Sequence, residues 1–106
     1  MIKIEIVRSS DQAMVGFSVN GHAGTAPHGQ DIVCAGISAL TQTAVLGLDR
    51  QLKKKIDVKI TSGHLNMNLL DKPDALTNAI LETMLIGLTE IGNLNPKSVR
   101  ILERRR

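Results

Sequence analysis

Between residues 2 and 8 apolar and polar side chains alternate, with Ile2, Ile4 and Ile6 on one side and Lys3 and Glu5 on the other. A period of two is that of a half-buried strand. Residues 14 to 20 repeat it with Val15, Phe17 and Val19, and the polar Ser9-Ser10-Asp11-Gln12 between the two runs reads as a hairpin connection. Residues 21 to 30, Gly-His-Ala-Gly-Thr-Ala-Pro-His-Gly-Gln, hold three glycines and a proline. That composition opposes both helix and central strand and predicts a mobile loop, longer than most connections in a compact domain. From about Asp31 to about Leu52 the period changes. Val33, Ile37, Leu40, Ala44, Leu48 and Leu52 recur at helical spacing, with Asp31 as N-cap and basic residues after Arg50 at the far end. Ile32, Ala35, Ala39 and Leu46 widen the apolar surface, which predicts a helix covered on more than one side.

Alternation returns at Ile56, Val58 and Ile60, then at Leu65, Met67 and Leu69, with Ser62-Gly63 as the turn of a second hairpin. Asp71-Lys72-Pro73-Asp74 opens a second helix, Leu76 to Ile91 carries its apolar stripe, and Gly92-Asn93 ends it. Val99 and Ile101 predict a last strand before the arginines. The order is β-β-α-β-β-α-β. Hairpins imply antiparallel pairing, so the expected fold is α+β, a single small domain over residues 1–106 with antiparallel strands packed on two helices.

Composition narrows the function classes. An apolar fraction of 42% and a charged fraction of 22% are those of a globular chain. No unbroken apolar run approaches the ~18 residues of a membrane span, and none follows the N-terminus, so neither a span nor a signal peptide is expected. One cysteine cannot form an internal disulfide, which fits a reducing, cytoplasmic setting. Phe17 is the only aromatic residue, so bases would find almost nothing to stack on. The net charge of +3 is carried entirely by Arg104, Arg105 and Arg106, a terminal run rather than a binding face. Direct nucleic-acid binding is therefore not expected.

The chemistry gathers around Cys34. Three residues after a capping Asp31, it would sit in the first helical turn, where unpaired N–H groups and the positive dipole end favour the thiolate. His22, at the near end of the glycine-rich loop, would pair with it as general base, and the same N–H groups would stabilise an oxyanion. Ser38 lies one turn further on the same face. Each residue also has a plainer role. A lone cysteine near an apolar run is more often an inert buried hydrophobe, a loop histidine is usually solvated, Asp31 suffices as a cap, and a helical serine commonly bonds backward. Cys34, His22, His28 and His64 lack zinc-site spacing, so no metal is expected, and the loop lacks the ending of a phosphate loop, so neither is a cofactor.

Gly21-His22-Ala23-Gly24, then Gly29, then Asp31-Ile32-Val33-Cys34-Ala35 and Ser38-Ala39-Leu40, together resemble the ribosomal-processing cysteine protease family, Prp. The likeness runs over the full length. It implies a cytoplasmic bacterial endopeptidase that removes the N-terminal extension of ribosomal protein twenty-seven of the large subunit, cutting after an aromatic pair. By the resemblance Cys34 is the nucleophile and His22 the general base. Asp31, Ser38, Gly21 and Gly24 are supporting positions, no cofactor is needed, and the chain pairs as a homodimer through its helices. The competing expectation is a non-catalytic ribosome-associated module binding through the basic C-terminal tail.

Overall fold

The computed structural model describes residues 1–21 and 28–106, the side chains of residues 28–31 excepted. Strand β1 (Ile2–Arg8) turns into β2 (Met14–Asn20), helix α1 (His28–Leu46) follows, and β3 (Ile56–Thr61) and β4 (His64–Leu69) form the second hairpin. Helix α2 (Ala75–Leu94) leads to β5 (Val99–Arg105). The α+β order is the one the alternation predicts.

The five strands make one sheet in the order β3-β4-β2-β1-β5. The pairs β1–β2, β2–β4 and β3–β4 are antiparallel, whereas β1–β5 is parallel, Ile2 opposite Val99 and Arg8 opposite Arg105. The expected all-antiparallel sheet is corrected at this one pair. Hairpin logic orients only strands joined by a short turn, and β5 reaches β1 from the far end of α2.

Both helices pack on one face of the sheet. Ile2, Ile4, Ile6, Phe17, Leu65 and Met67 from the strands meet Val33, Ile37, Ala44, Leu48, Leu81, Met84 and Leu88 from the helical segments in a single buried cluster. Side chains of alternate parity, among them Lys3, Ser18, Asn20, Asn66 and Asn68, stand on the other face, which is polar. Leu48 belongs to a π-helical turn, Gly47–Gln51, that continues α1 almost to the expected end and closes with Leu52 N–H donating to Gly47 O at 3.0 Å. Lys53 then reverses the chain at φ 53°. By length and composition alone Ile32–Gln51 is apolar enough to cross a membrane, although no unbroken apolar run marks it. In the fold, its Val33, Ile37, Ala44 and Leu48 are core residues.

Helix α2 starts where Asp74 caps it. Thr77 N–H donates to Asp74 Oδ1 and Asp74 N–H to Thr77 Oγ1, both at 2.9 Å, a reciprocal pair that satisfies two end donors. It runs through Gly92-Asn93 to Leu94, two residues past the expected stop. The arginine run is not a free tail. Arg104 and Arg105 belong to β5, Arg104 Nε donates to Glu5 Oε1 at 2.8 Å, and Arg106 N–H donates to Arg8 O at 2.7 Å.

Candidate active site

Cys34, the chain's only cysteine, is half-buried on the sheet-facing side of α1. It opens into a cavity of about 160 Å³ between α1 and one end of the sheet. Ile37, Ser38, Thr41 and Gln42 line it from the helix, and Ile2, Val19, Leu65 and Ile60 from the strands. Ser38 is exposed one turn beyond Cys34 and borders the same cavity, as its spacing predicts. Thr41 is buried and donates to Ile37 O at 2.9 Å, which satisfies its hydroxyl within the helix.

Gly21 also borders the cavity, and the backbone there requires glycine. Its φ is +94°, and a Cβ would lie 2.3 Å from the carbonyl oxygen of Met1. Its N–H donates to Gly63 O at 2.9 Å, tying the end of β2 to the β3–β4 turn. Cys34, Ser38 and Gly21 are thus brought together. His22 and Gly24 lie outside the described residues, as does the side chain of Asp31.

The helix start corrects one expectation. Helix α1 begins at His28, so Asp31 lies within it rather than capping it, and Cys34 is its seventh residue. The first turn of a helix has no intrahelical N–H bonds to lose, so the glycine-containing His28-Gly29-Gln30 joins it after the proline that precedes it in sequence. The unpaired N–H groups assigned to Cys34 therefore sit earlier in the chain, and the dipole acts mainly within the first turn. Oxyanion donors from the helix start are not placed at the sulfur.

The residues the sequence reading missed belong to the β3–β4 hairpin, where Ile60, Thr61, Gly63 and His64 form the wall opposite α1. Ser62-Gly63 gave a turn but not its neighbour, which depends on β4 pairing with β2. His64 Nδ1 is hydrogen-bonded to Asn20 Oδ1. The two residues are register partners, and their neighbours Val19 and Leu65 point to the core. His64 thus pins the hairpin to β2 while bordering the cavity. Among the described residues no group of three or more His, Cys, Asp or Glu is placed to hold a metal.

The site is a lone thiol opening into a cavity from a helix over a single sheet, an arrangement that leaves the sulfur open to thiol chemistry. The family model for the cysteine protease Prp matches residues 1–100, and the chain belongs to that family. The ribosomal processing cysteine protease Prp of Staphylococcus aureus strain Mu50 is 29% identical over 104 residues, covering 95% of this chain and 97% of the relative. Two S. aureus Prp structures share the fold. The one with a substrate peptide has a TM-score of 0.90 at 25% identity, covering 98% of this chain and 100% of that one. The one with a covalently linked product peptide has a TM-score of 0.88 at 26% identity with the same coverage. The chain is a cysteine protease of the ribosomal-processing type.

Proposed function

We propose that this chain is the endopeptidase that removes the N-terminal extension of ribosomal protein twenty-seven of the large subunit, with Cys34 as nucleophile and His22 as general base. The observation that carries the assignment is that the only thiol in the sequence borders a cavity shared with Ser38 and Gly21. The covalently linked product peptide of the S. aureus relative supports a covalent route.

In that route His22 takes the thiol proton and Cys34 Sγ attacks the scissile carbonyl carbon. The Ser38 hydroxyl, one turn away on the cavity rim, donates to the carbonyl oxygen as charge develops. Collapse of the tetrahedral adduct breaks the C–N bond while the imidazolium returns its proton to the leaving amine. Water, deprotonated by His22, then releases the acyl group and restores the thiol. Asp31, one turn before Cys34, is the supporting acid, and Gly21 and Gly24 are the supporting positions on either side of His22 in the sequence.

The whole chain acts as one catalytic domain in the cytoplasm, where the ribosomal precursor is made, and it works as a homodimer. The groove between α1 and α2, about 570 Å³ and lined by Ala39, Leu40, Ala44, Ala79 and Ile80, supports a second copy seated there. The tail-binding module is the weaker reading, because Arg104 and Arg105 are strand residues and Arg104 is paired.

The test is incubation with the extended precursor followed by mass analysis. Cys34→Ala is expected to abolish cleavage with an unchanged circular dichroism spectrum, and His22→Ala to lose at least ~100-fold in kcat/KM. Cleavage retained by Cys34→Ala removes the nucleophile, and near-normal turnover by His22→Ala moves the base elsewhere.

A further inference from the structure

Four of the five large apolar side chains around Cys34 are accounted for by the core: Ile2, Ile37 and Leu65 are buried and Val19 packs against the buried cluster. Ile60 is different. It lines the same cavity yet is 59% exposed. The register pairs Val19 with Leu65 and Leu65 with Ile60, so the three form one row across β2, β4 and β3 on the helix-facing side. Strand β3 is the sheet edge, and the row runs out from under α1 there. The backbone that carries Ile60 is held in place, because Gly63 O accepts from Gly21 N–H and His64 bonds to Asn20. Across the cavity α1 offers polar, exposed Ser38 and Gln42. Among the described residues Ile60 is thus the one exposed large apolar side chain on the cavity, facing polar groups of α1 across it.

We infer that Ile60 is a specificity-determining residue, the wall against which the substrate side chain immediately before the scissile bond packs. The position follows from the chemistry. The residue that carries the attacked carbonyl brings that carbon to Cys34, and in the inferred pose its own side chain enters the cavity that Cys34 borders, with its backbone toward Ser38. The inference rests on Cys34 being the nucleophile of an endopeptidase.

The experiment uses three forms of the precursor's extension peptide, with Ala, Leu or Phe before the cut, and compares wild type, Ile60→Ala and Ile60→Phe. Shortening the wall is expected to lower kcat/KM for the Leu peptide about tenfold, in the range that lost methylenes cost, with the Ala peptide little changed. Filling the cavity with Ile60→Phe is expected to penalise the Phe peptide more than the Ala peptide. Alkylation of Cys34 by iodoacetamide at the wild-type rate in both variants reports an intact site. Equal factors across the three peptides, or no change at all, overturn the inference while leaving the endopeptidase standing. Failure of the wild-type chain to cut any of them overturns the endopeptidase reading and the inference with it.

Discussion

At the scale of single residues, Gly21 links the strand scaffold to the chemistry. Any side chain there meets the carbonyl of Met1 and must hold φ at +94°. A left-handed conformation costs a non-glycine residue about 1–2 kcal/mol, before the clash is counted. Gly21→Ala is expected to lower the thermal midpoint by several degrees, since ~1 kcal/mol moves a domain of this size by roughly 4–8 °C. It is also expected to reduce cleavage, because the next residue in the chain is His22. A melt superimposable on wild type would contradict the backbone argument. The sequence suggested Gly21 only through the family motif. The composition of residues 21–30 predicted a loop, but the approach to Met1 arises from chain segments twenty residues apart. Ser38 and Cys34 were legible because four-residue spacing on a helix fixes a shared face without any tertiary knowledge.

At the scale of elements, alternation and helical spacing located every strand and both helices to within a few residues, because a half-buried element must carry its own period. What they missed depends on end chemistry or on distant neighbours. The start of α1 was misread because Asp31 is a good cap by type, and nothing local shows that the chain is already helical at His28. The width of the apolar surface on α1 was legible, and its consequence belongs here too. One side faces the sheet through Val33, Ile37 and Ala44, and another borders the apolar α1–α2 groove. If a second copy covers that groove, sedimentation of the wild-type chain at micromolar concentration gives the dimer mass. Ala39 is exposed on the groove, so Ala39→Glu leaves the monomer fold intact while placing a charge in the contact. It is expected to weaken association at least ~10-fold, as a desolvated unpaired charge does. A wild-type chain that sediments as a monomer, or an Ala39→Glu dimer of unchanged affinity, would reject this interface.

At the scale of the whole molecule, strand order was beyond the sequence, since alternation gives each strand a buried face but not a partner. One residue shows how the order is secured. Arg8, at the end of β1, donates from Nε to Glu103 of β5 at 2.6 Å. Its Nη1 and Nη2 reach Glu82 of α2 at 2.6 and 3.1 Å, and Nη1 also reaches Gln12 O in the β1–β2 turn at 3.0 Å. A bidentate guanidinium thus joins β5 and the β1–β2 turn to the helix above. The hydrogen bonds from Arg8 hold the Glu82 carboxyl below its ordinary value of 4.5. The Asp74 carboxyl is lowered as well, by Lys54 first and then by the Thr77 N–H. A carboxyl lowered by folding contributes stability that is complete above its unfolded value and is lost as the pH falls through its folded one. The thermal midpoint of the wild-type chain is therefore expected to decline as the pH drops below the ordinary carboxyl values, 4.5 for Glu82 and 3.8 for Asp74. Glu82→Gln should melt lower than wild type at pH 7 and decline less steeply in acid, so that the two curves draw together as the pH falls below 4.5. Asp74 keeps some slope in the variant. The effect is modest because Glu82 is 41% exposed and solvent screens part of the pair. Midpoints whose separation does not narrow at all below pH 4.5 would mean that Glu82 acts through packing, and that the ionic tie between β1 and α2 adds nothing to the stability of the fold.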